Sequence, residues 1–253
     1  MRKKFKVFIA LLCGCVLILG TTISAFAAQV NSTPKYTGNI NGYSYKIVSS
    51  LSDAGYFGVC ASGSVSNVSG KSPAGWIGIN ARVMQGTAVR ASTGMQYTTS
   101  SGGFDVIGAY YNATGTFYSQ CQADLYNGNG YTRVTSNRST NMNWTKSLSV
   151  SANEVSNFEN SSYAINNSGE TCGSIAIADV EGENPDLILA VGVNGVIGYV
   201  KDDDLNKTFE SPNEAIEWTL DHQDPYTIPL YDCEGDIQIG EFLIEPGDLV
   251  SEN

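Results

Sequence analysis

The residues best equipped for chemistry are few and poorly grouped. His222 is the single histidine, so a metal centre built on several imidazoles has no ligands, and a Ser-His-Asp triad would have only this base. No G-x-S-x-G turn accompanies it. A position near the end of a predicted helix accounts for it through the helix dipole. Asp202, Asp204 and Asn206 take the first, third and fifth places of a calcium-loop pattern. The sixth place holds Lys207 where the turn needs glycine, and the twelfth holds Asn213 where a glutamate is needed. Neither a phosphate-cradling glycine loop nor a dinucleotide fingerprint occurs. The expectation is a chain with no catalytic residue, no metal and no cofactor, a looser carboxylate calcium site at Asp202–Asp204 being the alternative to a solvated turn. With 22 acids after residue 150 a carboxylate pair for glycoside hydrolysis stays open, because only spatial separation decides it.

The positive feature is aromatic. Trp76, Tyr110, Tyr111, Tyr118, Tyr126, Tyr131 and Trp144 sit among Asn, Gln, Ser and Gly. Flat rings beside amides suit a polar ligand such as a carbohydrate, since they combine apolar contact with hydrogen bonds. Trp76, Tyr118, Tyr126 and Tyr131 are the candidate ligand-binding residues. Tyr118 is the best candidate for an exposed ring, because Phe117, Ser119, Cys121, Ala123 and Leu125 share the other face of its segment. The competing reading is that these rings fill a core or form cross-strand pairs.

Short strands must position these rings. Residues 56–64, 76–85, 88–93, 95–99, 104–111, 116–126 and 131–136 read as strands divided by Gly, Ser and Asn, without a helical period. Their spacing predicts an antiparallel β-sandwich over residues 28–150. Residues 147–169, rich in Ser and Asn, read as a linker, with a boundary near Ser151. An acidic α+β module, hairpin–helix–hairpin, is expected over 151–253. Its centre is residues 186–200, DLILAVGVNGVIGYV, where Asn194-Gly195 suits a two-residue type I′ turn pairing Val193 with Val196 and Val191 with Gly198. Ser211, Pro212 and Glu214 form a helix start that should run to His222 and lie across this hairpin. A second hairpin is expected over 227–231 and 236–244.

Ends and composition bound the setting. Arg2, Lys3, Lys4 and Lys6, the apolar run 7–19 and Ala25-Phe26-Ala27 read as a signal peptide over residues 1–27, and hence as a secreted protein with no stable membrane insertion after cleavage. Leu12-Cys13-Gly14-Cys15 loosely resembles a lipoprotein signal, but the apolar run continues beyond it. The whole chain carries a net charge of −11. Residues 28–150 hold eight basic and three acidic side chains, whereas residues 151–253 hold two basic and 22 acidic. The acidic balance argues against general nucleic-acid binding. After cleavage four cysteines remain, and an even number in an exported chain suggests disulfides, with Cys60–Cys121 and Cys172–Cys233 favoured and free thiols the alternative.

Three stretches carry a resemblance: residues 75–82 (GWIGINAR), residues 115–120 with 126–131 (YNGNGY), and residues 185–205 (PDLILAVGVNGVIGYVKDDDL). Together they resemble a group of uncharacterised exported proteins of Gram-positive bacteria. That resemblance implies secretion and a β-rich first module, and transfers no catalytic residue. Cys121 stands where the pattern has Gly, and Cys172 where it has Tyr. The expected function is a secreted, non-enzymatic binding protein recognising an extracellular or cell-envelope ligand. A membrane-active toxin or bacteriocin is the alternative and a secreted hydrolase the third reading.

Overall fold

The structure, a computed structural model, describes residues 28–68, 70–146 and 162–252. The expected signal peptide and the boundary near Ser151 lie outside the described residues. The first half supplies β1 (Gln29–Asn31), β2 (Lys35–Tyr36), β3 (Tyr45–Asp53) and β4 (Val59–Asn67). At short spacing follow β5 (Ile77–Asn80), β6 (Arg82–Gln85), β7 (Ala88–Ser92) and β8 (Gln96–Tyr97). Then come β9 (Gly103–Tyr111), β10 (Gly115–Ser119), β11 (Gln122–Tyr126), β12 (Tyr131–Thr135) and β13 (Met142–Trp144). The second half runs β14 (Ala164–Ile165), β15 (Thr171–Gly173), α1 (Ala178–Glu181), β16 (Leu187–Val191) and β17 (Ile197–Lys201). It ends with α2 (Asp202–Leu205), α3 (Pro212–Asp221), β18 (Tyr226–Tyr231), β19 (Gln238–Ile244) and β20 (Asp248–Glu252).

The protein is mainly β, its sheets largely antiparallel and packed as a sandwich. One sheet, in the order β1-β3-β4-β9-β20 with β2 on β3, forms a single layer. The facing layer has two parts. A short sheet, β12-β11-β5-β8, packs Ile77, Ile79, Ala123 and Leu125 against Tyr45, Ile47, Val65, Phe104 and Val106. Strands β6, β7, β10 and β13 pack Val83, Ala91, Phe117 and Met142 against Leu51, Val59, Ala61 and Ala109. The alternation in both segments is that of strands with one buried face.

The two parts of this layer meet at a corner. Residues 76–85 and 116–126, each expected as one strand, are each two strands in different sheets, broken at Ala81 and at Gln120–Cys121. The breaks lie side by side, since Gln120 N donates to Arg82 O and Gln122 faces Asn80. Backbone groups freed at the corner are taken by polar side chains. Ser49 Oγ donates to Ser119 O at 3.1 Å, Arg82 Nε to Gln120 O at 3.0 Å, and Cys121 N to Ser136 Oγ at 3.0 Å. A buried backbone polar group left unpaired costs free energy comparable to a lost hydrogen bond, so these contacts are what make the bend tolerable.

Strand pairing crosses between the halves. β7 pairs with β6, and also in parallel with β16 (Val89 facing Ala190) and β19 (Ser92 facing Ile244). The path β7-β19-β18-β17-β16 therefore returns to β7 and closes on itself. Ile188, Ala190, Val200, Ile228, Leu230, Phe242 and Ile244 fill its interior together with Met84, Val89 and Tyr118 of the first half. β20 then pairs with β9 in the first sheet.

The central hairpin forms with a different register. Val191 faces Ile197 and Ala190 faces Gly198, one residue away from the expected pairing. Gly192 N donates to Val196 O, and Gly195 sits at φ 80° after Val193 and Asn194. The loop is thus the three-residue kind that ends in a left-handed glycine, not the two-residue type I′ turn. Helix α3 starts as expected, with Ser211 Oγ accepting from Glu214 N and Pro212 in the first turn. It packs Ala215 and Thr219 onto β8 and does not lie across the hairpin: Thr219 Oγ1 accepts from Tyr97 N at 2.9 Å.

Candidate functional site

The outward face of the short sheet carries the polar and aromatic residues in three rows set by register. Tyr131 faces Tyr126, whose N–H bonds to Trp76 O; Arg133 faces Asp124, which faces Gly78; Thr135 faces Gln122, which faces Asn80. An aromatic, a charged and an amide row follow one another along the strands. Gly78 admits the Tyr97 ring directly above it: a Cβ there would lie 2.6 Å from the ring.

The charged and amide rows are covered by the second half. Arg133 Nε and Nη2 bond Asp124 Oδ1 and Oδ2 at 2.8 and 3.0 Å, while Nη1 reaches Asp202 Oδ2 at 3.0 Å. Asp202 Oδ1 accepts from the amides of Asn184 and Asn206, both at 2.7 Å. Asn206 Oδ1 in turn accepts from Asn80 at 2.7 Å. Burial pushes the Asp202 carboxyl above the usual range, against the pull of Arg133 and the two amides. Burial alone would lower the Arg133 guanidinium, but the hydrogen bond and charge of Asp124, with Asp202, hold it above its ordinary value. A polar cavity of about 560 Å³ opens where Arg133 and Thr135 meet Asn184, Asp186 and Asp202. Asp202 and Asn206 are thus committed to Arg133 and Asn80. Among the described residues no three metal-ligating side chains converge.

The aromatic row stays partly open. Trp76, Tyr126 and Tyr131, three of the four expected binding residues, come together with ring centroids 5.1 and 5.5 Å apart along the series. Tyr43 extends the row at 5.5 Å from Trp76 in an edge arrangement. On the other side the rings continue inward through Tyr97, Phe209 and Trp218 to His222, which stacks on Trp218 at 3.5 Å. His222 caps α3, with Nδ1 2.9 Å from Trp218 O. Tyr131 is the hinge between covered and open rings: its hydroxyl donates to Gly75 O, and burial, then Asp124 and Tyr126, raise its pKa.

Two Asn-Gly turns frame the open end. Asn41 (φ 48°) and Gly42 (φ 89°) form the two-residue turn between Ile40 and Tyr43 that requires positive φ twice. Opposite lies the turn of Asn127, Gly128, Asn129 and Gly130, its Gly128 within reach of the Asn41 side chain. Asn39, Asn41, Asn127 and Asn129 are exposed there. Tyr43 and Asn41 escaped the sequence reading, although Ile40-Asn41-Gly42-Tyr43 carries the same turn signal used for the central hairpin.

Tyr118 is a correction. It is only 5% exposed, its hydroxyl donates to Gly86 O at 2.9 Å, and Arg138 lies over its ring at 4.8 Å. Alternation placed it opposite Phe117 correctly, but that face is covered by Ile175 and Ala178 and by the strands of the closed path. The disulfides are a second correction. Cys60, Cys121, Cys172 and Cys233 are free thiols and no pair is at bonding distance. Cys60 and Cys121 sit in different layers, with Cys60 Sγ turned to Gly108 O and its thiol pushed up to about 11 by burial.

No family model matches the chain, and no curated protein or solved structure was found to match it.

Proposed function

We propose that this is an exported, non-enzymatic binding protein whose Tyr43–Trp76–Tyr126 edge recognises a carbohydrate of the cell envelope. One observation carries the reading: a row of packed rings ends, half-exposed, between two turns rich in asparagine. Sugars present an apolar face and a rim of hydroxyls, and such an edge meets the first with rings and the second with amides. The rings inward of Tyr131 hold the edge rigid, which lowers the ordering cost of binding. The side-chain amides of Asn41 and Asn129 make no hydrogen bond among the described residues and are available to hydroxyls.

The test is co-sedimentation of residues 28–253 with purified cell walls. Trp76→Ala should weaken saturable binding by about tenfold, the equivalent of about 1.4 kcal/mol. Asn129→Ala, an exposed change outside the core, should weaken it by a smaller factor with the fold intact. Tyr118→Ala should leave the affinity of the folded fraction unchanged, because its ring is in the core. Absence of wall binding by the unmodified protein overturns the proposal.

A further inference from the structure

Asparagine followed by glycine is a reactive pair as well as a turn signal. Glycine has no Cβ to shield its amide, so its nitrogen can reach the side-chain carbonyl carbon of the preceding asparagine and close a five-membered ring. The chain holds four such pairs: Asn41-Gly42, Asn127-Gly128, Asn129-Gly130 and Asn194-Gly195. For the ring to close, the glycine N–H must be free to lose its proton and the asparagine side chain free to turn towards it. A hydrogen bond on either group has to break first, and each slows the reaction roughly two- to tenfold.

The fold holds three of these pairs. Gly195 N donates to Gly192 O at 2.9 Å, and Asn194 Oδ1 accepts from Val196 N at 3.4 Å. Gly42 N donates to Asn39 Oδ1 at 3.0 Å. Asn127 is held by its side chain, with Oδ1 accepting from Asn129 N at 3.0 Å and Nδ2 donating to Thr132 Oγ1 at 3.2 Å.

Asn129-Gly130 is left free inside the same turn. Asn129 is exposed, and its side chain makes no hydrogen bond among the described residues. Gly130 accepts from Asn127 N through its carbonyl at 3.0 Å, but its own N–H has no partner among the described residues. Space around Gly130 is open as well: a Cβ at this glycine, whose φ is 102°, would meet only Phe209 O, at 3.9 Å. The rest of the turn is fixed, with the Tyr126 hydroxyl donating to Gly128 O at 3.1 Å. A rigid frame thus surrounds one unblocked reacting pair.

We propose that Asn129 is a site of spontaneous covalent modification, converted through a succinimide with Gly130 while the other three pairs persist. Gly130 N, its proton passed to water, attacks Asn129 Cγ; the bond from Cγ to the side-chain nitrogen breaks and ammonia leaves. One water then opens the ring at either carbonyl. The products are an aspartyl residue, or an isoaspartyl residue whose backbone is one methylene longer. Each conversion replaces a neutral amide by a carboxylate in the turn beside the Trp76–Tyr126 edge. Any effect of that charge on a wall ligand rests on the function proposed above; the chemistry itself does not.

The experiment is timed incubation of residues 28–253 at mildly alkaline pH, followed by peptide mapping with fragmentation that separates position 129 from position 127. In the native protein, position 129 should gain about one mass unit, in two chromatographic species. Its rate should exceed that at Asn41 at least about threefold, and those at Asn127 and Asn194 at least about tenfold. In urea above the unfolding transition the four rates should converge, because the hydrogen bonds that distinguish the pairs are gone. Asn129→Gln should remove the early gain, since the longer side chain closes only a six-membered ring. Equal native rates at the four pairs, a faster rate at another pair, or a native order of rates that survives unfolding would each overturn the proposal. A single product species would overturn it too, since direct hydrolysis of the amide gives no isoaspartate. Failure of fresh protein to bind cell walls removes the proposed function and leaves these rates unchanged, so the two failures are distinct.

Discussion

Arg133 joins the two halves, as do Asn80 and Tyr97. Arg133 saturates Asp124, which has no solvent exposure, and reaches across to Asp202 and to the Asn206 carbonyl at 2.8 Å. An arrangement of this kind adds modest net stability while intact but is costly to break from one side, because the remaining charge stays buried. Arg133→Met should therefore lower the unfolding free energy by about 3 kcal/mol, read from urea titration. A loss near that of a surface ion pair, under about 1 kcal/mol, would show that water reaches Asp124. Residue types at this scale were legible in part. Alternation put Asp124 and Gln122 on one face, but nothing in residues 122–133 announced that Asp202, some seventy positions later, would cover it.

Elements tell a similar story about distance along the chain. Capping residues placed α3 correctly because Ser211, Pro212 and Glu214 act within one turn. The surface that α3 lies on was misjudged, since the choice between β8 and the hairpin depends on contacts over a hundred residues away, such as that of Thr219 with Tyr97. Close approach of the two layers depends on Gly63 of β4: a Cβ there would lie 2.7 Å from Ile79 Cγ2 and 3.0 Å from Cys121 Cβ. Gly63→Ala should destabilise by about 1–3 kcal/mol through overpacking, as measured by the shift in thermal midpoint and urea titration. An unchanged protein would mean that the layers can part at this point without loss.

At the scale of the whole molecule, an acidic half is interleaved with a mildly basic one. β7 is shared between the closed path and the sandwich, and β20 returns to β9, so the charge boundary does not coincide with a break in strand pairing. The pH response follows from the buried carboxyls. Burial holds both Asp202 and Glu245 above the usual carboxylate range. The folded state thus binds these protons more tightly than the unfolded chain, and this stability is present at low pH and lost as pH rises through the folded pKa values. Relief of repulsion among the 22 acids after residue 150 acts in the same direction. The urea midpoint should rise as pH falls from 7.5 towards about 5, above the ordinary Asp and Glu values of about 3.9 and 4.3. A falling midpoint over that interval would mean that ion pairs such as Arg133–Asp202 outweigh the burial cost.

By itself the sequence determined what is local: strand alternation, the places of the turns at residues 127–130 and at Asn194-Gly195 though not the latter's type, the cap of α3 and the uneven charge. Each of these depends on residues within a few positions or on a period of two. Only the tertiary structure decided which faces stay open. The corner at Ala81 and Gln120 sends one strand face into two environments, so that Tyr118 is covered by the second half while Trp76 remains at an edge. It also decided that the cysteines stay apart, because layer assignment, and not spacing along the chain, sets the distance between Cys60 and Cys121. Covering is a property of distant segments meeting, and the side chain being covered carries no local mark of it.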